Sequence, residues 1–503
     1  MRILFVLLFA GILVPAATAQ DANAPSAPAA SEQDIGEPQV FESEGSLRLG
    51  GARLDYTAIA GETYLRGEDD APTAAIFSIA YLKSGEDDAA ERPVTFVWNG
   101  GPGSSSVWLH MGAFGPRRVV TPSDASDVGA PPYPIVDNAH SLLDVTDLVF
   151  IDPVGTGYSR ALGDTDPADF HGLSEDAESI AEFIRIWLTD NGRWNSPKYI
   201  AGESYGGTRA AQITEELQGG WNGVALNGVI LISPALDFQT IRFSRGNDLA
   251  PVAFFPSFAA AAWYHEKVDR EDWGGDFEAF IDEARDFAMD SYMPALLRGT
   301  SLPETDRRRM AEEMSAYVGL SADYLMDQDI RMNTSFFKEL LREEDLSIGR
   351  FDARYTGEDD FTIGTYHDND PSGYGMDVAY TAAVNDHLTR TLGVDFDRKY
   401  EILSGKPGQN WKWSSGRGSP SFPNPTPHLA KGLRENTDLR VLLASGYYDL
   451  ATPFFASELS LYRNGVDLDR VDFTYYPAGH MMYLAEEEAE NLSEDVRNFI
   501  RGE

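Results

Sequence analysis

Residues 198–217, KYIAGESYGGTRAAQITEEL, pass from a strand-like apolar run through a glycine-bracketed serine into a helix-forming stretch. A strand that breaks at glycines and continues at once as a helix constrains the fold more than any other feature of the chain. The same arrangement recurs on either side of it. PVTFVWN (93–99) is a β-branched and aromatic run ending in a glycine cluster, and DLVFID (147–152) ends at PVGTGYS. LNGVILIS (226–233), RVLLASG (440–446) and VDFTYYPAGH (471–480) are further strand patterns. Ile180, Phe183, Ile184, Trp187 and Leu188 share one face of an amphipathic helix, with Ser174 as its expected cap, and AEEEAENLSEDVRNFI (485–500) reads as another helix. Strands alternating with helices predict an α/β fold, with a mostly parallel central sheet covered by helices on both faces.

The pattern is interrupted once. Residues 237–397 are acidic, helical and dotted with Trp and Met, which predicts a largely helical cap inserted between two parts of one core, 45–236 and 398–503. The first twenty residues, MRILFVLLFAGILVPAATAQ, have the basic start, short apolar run and small-residue site of a secretory signal. Cleavage is expected after Ala19, giving a signal peptide at 1–19, an Ala/Pro/Ser-rich flexible leader at 20–44, and an exported protein, periplasmic or secreted. The chain has no cysteine, so disulfides and thiolate chemistry are excluded, and its stability has to come from a large core. A formal charge of −40 disfavours nucleic acid and anionic lipid as partners, and no membrane association is expected once the signal is removed.

Gly202-Glu203-Ser204-Tyr205-Gly206 fits the G-x-S-x-G nucleophile elbow in its strand-to-helix setting. A serine needs a base, and the base needs an orienting acid. In the α/β-hydrolase fold the acid and then the histidine follow the serine, each on a loop after a strand. Asp449 after RVLLASGYY and His480 after FTYYPAG occupy those places. The other seven of the eight histidines, His110, His140, His171, His265, His367, His387 and His428, lack that setting and read as surface or packing residues. An oxyanion hole would draw one amide from Tyr205, next to the nucleophile, and one from Gly101 in the loop WNGGPGSSS (98–106).

Taken together, WNGGPGSSS, DPVGTGYS, GESYGG, GYYDLATP and AGHMMYL resemble the serine carboxypeptidase family, in order and at fitting separations. The resemblance implies hydrolysis of the C-terminal bond of peptides with a free C-terminus, by Ser204, His480 and Asp449, with no metal and no organic cofactor. It also implies that Asn99, Gly100 and Glu203 bind the substrate's terminal carboxylate, and that Met481 lines the pocket for the leaving residue. A carboxylate facing a carboxylate in a dry pocket shares a proton, so such a site binds best in mild acid. The chain departs from the family pattern at Val97, where a tryptophan is usual, at Ser104 for a cysteine, and at Ala113 for a glutamate. These changes leave open which residue is preferred as leaving group. An esterase or acyltransferase on the same triad, or a binding protein that has lost catalysis, are the alternatives.

Overall fold

Successive residues of the central strands point into different apolar clusters. Val97, Ala201, Ile230 and Leu442 lie in one cluster, and their neighbours Phe96, Ile200, Val229 and Leu443 in another. This is the two-residue period of a sheet buried on both faces. The computed structural model describes residues 35–86, 89–221, 223–358, 370–414 and 422–503. From Glu37 onward these form one compact unit. The expected signal peptide lies outside the described residues, as does His367. Among the described residues no helix is long and apolar enough to cross a membrane.

The sheet comprises β1 (Val40–Leu49), β2 (Ala52–Arg66), β3 (Pro72–Lys83), β4 (Val94–Trp98), β5 (Asp147–Asp152), β6 (Lys198–Glu203), β7 (Gly228–Ile232), β8 (Arg440–Gly446) and β9 (Val471–Tyr476). Their spatial order is β1-β2-β3-β5-β4-β6-β7-β8-β9, with the short strand Arg160–Ala161 pairing with β3. Pairing is antiparallel from β1 through β5 and parallel from β5 to β9. One face of the sheet carries α1 (Leu173–Asp190), α2 (Tyr205–Gln218) and α7 (Thr426–Glu435), which contribute Ile180, Ile213 and Leu429 to its cluster. The other face carries α9 (Glu486–Arg501) through Leu492 and Val496. This is the α/β-hydrolase architecture.

Three details differ from the sequence expectations. Residues 40–44, assigned to the leader, belong to β1, whose pairing with β2 begins at Val40 opposite Gly61. Its alternating exposure, typical of an edge strand, hides that regularity among polar residues. Helix α1 is capped by Gly172, not Ser174, because the chain is pinned there by a bridge between Gly172 and Lys412. The insertion also divides between two cores. Helices α3 (Leu249–Tyr264), α4 (Phe277–Phe287) and α5 (Glu304–Val318) form a cluster of their own with α8 (Phe454–Arg463). Helix α6 (Asp377–Asp386) instead packs Ala379, Tyr380 and Ala383 into the cluster under the sheet.

Chain order reverses direction around β4: β5 lies on one side of it and β6 on the other. Open parallel sheets bind ligands in the crevice that such a reversal leaves at the carboxyl ends of the strands. The register brings those ends level, with Trp98 beside Gly202 and Glu203 beside Ile232, which in turn pairs with Ala444. Asn99, Ser204, Asp449 and His480 all follow this edge.

Candidate active site

Ser204 is the only residue in 198–211 that is not buried. It stands between β6 and α2 with φ +61° and ψ −126°, a conformation that costs a side chain of order 1–3 kcal/mol and persists only under firm constraint. The constraint is visible. The Ser204 amide donates to Ile232 O at 3.0 Å, and its carbonyl accepts from the amides of Gly207 and Ala235, both at 2.9 Å. The glycines are required by packing. A Cβ at Gly202 would meet Gly206 O at 2.1 Å, and one at Gly207 would meet Pro234 at 2.3 Å. The Trp98 indole braces the bend by donating to Gly206 O at 2.9 Å.

His480 Nδ1 lies 2.7 Å from Asp449 Oδ2. Asp449 is fully buried, and its other oxygen accepts the amides of Ala451 at 2.7 Å and Thr452 at 2.9 Å. The Thr452 hydroxyl lies 2.8 Å from Asp449 Oδ2 and 3.0 Å from His480 Nδ1, completing the fixation of the imidazole. Burial opposes a charge on His480, but the Asp449 carboxylate outweighs it and holds the imidazole pKa above its ordinary value. The His480 amide donates to Phe351 O at 2.6 Å, so the insertion steadies the loop that carries the base. Ser204 and His480 face one cavity of about 430 Å³. No hydrogen bond joins their side chains among the described residues.

The loop after β4 closes over the elbow. A Cβ on Gly100 would come within 2.5 Å of the Tyr205 amide nitrogen, so only glycine permits this approach. The amides of Gly101 and Tyr205 donate no hydrogen bond among the described residues, and both residues line the cavity beside Ser204. The buried guanidinium of Arg209 holds the loop, donating to Asn99 O at 2.8 Å and to Asp176 Oδ2 at 2.7 Å.

Glu203 lines the same cavity and is almost wholly buried. Asn99 Nδ2 donates to its Oε1 at 2.9 Å, and the Tyr483 hydroxyl donates to its Oε2 at 2.5 Å. Burial pushes the Glu203 carboxyl up to about 7, against the charge of His480 and these two hydrogen bonds. Gly100 and Met481 line the cavity as well. Asn99 does not. It is fully buried behind Glu203, and its Oδ1 accepts the amides of Trp108 and Leu109, both at 3.1 Å. The Asn99 side chain thus holds Glu203 in place and ties it to the loop after β4.

Tyr483 and Thr452 were missed as site residues, although both fall inside motifs that had been noticed, AGHMMYL and GYYDLATP. The Asp176–Arg209 pair joins α1 to α2 and leaves no linear signal. The remaining described histidines do not line the cavity. His110 and His387 share the Tyr81 hydroxyl, at 2.7 and 2.8 Å, His140 pairs with Glu486, and His428 pairs with Glu215.

Part of the chain is similar to known proteins. Residues 64–292 fit the sequence profile described as serine carboxypeptidase. Over that stretch, a little under half of its length, the chain is similar to the serine carboxypeptidase family. Among its relatives is serine carboxypeptidase-like 16 of Arabidopsis thaliana, 29% identical over 172 residues, which are 33% of this chain and 38% of that protein. A pheromone-processing carboxypeptidase of Sclerotinia sclerotiorum is 33% identical over 131 residues, 25% of this chain and 19% of that one. The matches thus span well under half the length of these relatives. The crystal structure of a prohormone-processing carboxypeptidase from Saccharomyces cerevisiae shares the fold, with a TM-score of 0.53 at 15% identity over 89% of this chain and 91% of that one.

Proposed function

We propose that this protein is an exported serine carboxypeptidase that hydrolyses the last peptide bond of chains with a free carboxylate, through an acyl-enzyme on Ser204. The observation that carries the reading is Glu203. It is a buried acid beside the nucleophile, hydrogen-bonded on both oxygens, with a pKa of about 7. A proton on Glu203 lets it donate to a substrate carboxylate that a glutamate anion would repel.

Ser204 Oγ attacks the carbonyl carbon of the scissile bond while His480 Nε2 takes its proton. Asp449 keeps the Nδ1 proton in place and stabilises the imidazolium. The oxyanion forms against the amides of Gly101 and Tyr205. The tetrahedral adduct collapses, and His480 returns the proton to the amine of the departing residue, which leaves past Met481. Water, deprotonated by His480, then attacks the ester and frees Ser204. The Ser204–His480 hydrogen bond is expected to tighten only with substrate bound, as catalytic contacts often do.

Glu203 and His480 also influence each other. An ionised Glu203 raises the His480 pKa, and a charged His480 lowers that of Glu203. A substrate carboxylate beside Glu203 favours its protonated form. The proton shared between the two carboxyl groups leaves the pair with a single negative charge, so binding adds no second anion beside His480.

Incubation of peptides with the protein, followed by mass spectrometry, tests the reading. Stepwise loss of single residues from the free carboxyl end is expected, and its absence in Ser204→Ala, where kcat/KM should fall roughly 10⁶-fold. Internal cleavage, or equal loss in Ser204→Ala, would rule it out.

A further inference from the structure

Arg242 lines the catalytic cavity on a wall the mechanism does not use. Its guanidinium carbon lies 4.9 Å from the ring centre of Phe238 and 4.6 Å from that of Trp413. Phe238 stands one turn earlier, and the Arg242 amide donates to its carbonyl at 3.1 Å, which places ring and cation on the same side. The Asn247 side chain fixes the turn by donating to Arg242 O at 2.8 Å. Trp413 in turn lies edge-on to Tyr205, at 6.0 Å between ring centres. A stack of aromatic rings therefore leads from the nucleophile elbow to a cation.

That cation has no carboxylate partner and no hydrogen bond to its guanidinium among the described residues. In a chain with 80 acidic and 40 basic residues, this calls for an explanation. The acid closest in the chain, Asp237, is taken by Arg463 and by the Gln239 amide. The other charged groups on the cavity wall are Glu203, His480, Asp377 and Arg350. Glu203 is engaged by Asn99 and Tyr483, and Arg350 stacks on Phe351, whose ring lies against His480. A stacked arginine keeps the edge of its guanidinium free for two parallel hydrogen bonds to a carboxylate.

The leaving residue is directed to Glu203 and Met481. The Tyr205–Trp413 wall, which also lines the cavity, is then left for the residue on the acyl side of the scissile bond. We propose that Arg242 receives an acidic side chain there, so that the enzyme selects peptides whose penultimate residue is glutamate or aspartate. The proposal rests on the carboxypeptidase reading of the site.

The test is kcat/KM for blocked peptides identical except for glutamate, glutamine or lysine at the penultimate position. Wild-type protein is expected to favour glutamate over its neutral isostere by roughly tenfold, the range of one charge-assisted contact. Arg242→Gln should bring that ratio close to one, Arg242→Lys should keep part of it, and Arg242→Glu should favour lysine, with circular dichroism checking that each variant is folded. A wild-type ratio of one, or a preference that survives in Arg242→Gln, overturns the proposal, and the wild-type ratio decides even where a variant fails to fold. Failure of the underlying reading looks different: no peptide of the series would lose its last residue.

Discussion

The two walls of the cavity are built in opposite ways. On one side Glu203 is buried, with both oxygens hydrogen-bonded by Asn99 and Tyr483. On the other, Arg242 is only partly buried, laid on Phe238 and Trp413, with its charge left open. The first wall follows the ends of β4 and β6 and is supported by the sheet. The second hangs on the turn after β7 and on the loop that carries Trp413. On the proposed reading, the feature common to every substrate, the terminal carboxylate, is met by groups held rigidly, since a misplaced proton there would cost catalysis itself. A feature that varies between substrates is met from loops, which can change without disturbing the chemistry.

The contrast can be broken from either side. Gly100→Ala should have the largest effect, because its Cβ would come within 2.5 Å of the Tyr205 nitrogen and push apart the loop and the elbow that frame the oxyanion. Steady-state assays should show kcat lowered by roughly 100-fold or more, as when one oxyanion donor is lost. A variant with normal kcat would mean that the loop has no part in the reaction. The Arg242 series comes next, with its change confined to the choice among substrates. Tyr483→Phe should have the smallest effect. The Tyr483 hydroxyl favours the ionised form of Glu203, so its loss should raise the Glu203 pKa above about 7. The pH at which peptide KM begins to climb should then move upward, measured on one substrate across pH. A downward move, or none, would separate Tyr483 from the cradle.

What could be read from the linear chain follows the same division. β4, β6 and β8 are short, almost wholly buried and have glycine at or close to their ends, so strand pattern and loop chemistry agree; Ser204 and Asp449 follow from where β6 and β8 stop, and His480 from where β9 does. Glu203 was legible because it adjoins the nucleophile. The bond from Asn99 to Glu203 is not legible, because no pattern of letters shows which way that amide turns. β1 escaped notice at its start because an edge strand in water carries polar residues where a buried one carries valine. Arg242 gave no signal at all. Its meaning depends on Trp413, 171 positions away, and on the absence of an acid that sequence proximity would have suggested in Asp237.

The central claim is that a proton on Glu203 admits a substrate's terminal carboxylate. The most direct measurement is kcat/KM for one peptide as free acid and as C-terminal amide, on both sides of the Glu203 pKa of about 7, in wild type and Glu203→Gln. For wild type the free acid should be favoured strongly below that pH, and the advantage should shrink above it as Glu203 ionises. In Glu203→Gln, which carries no titrating group there, the decline should disappear. Equal turnover of acid and amide in wild type, or the same decline in Glu203→Gln, would contradict the account.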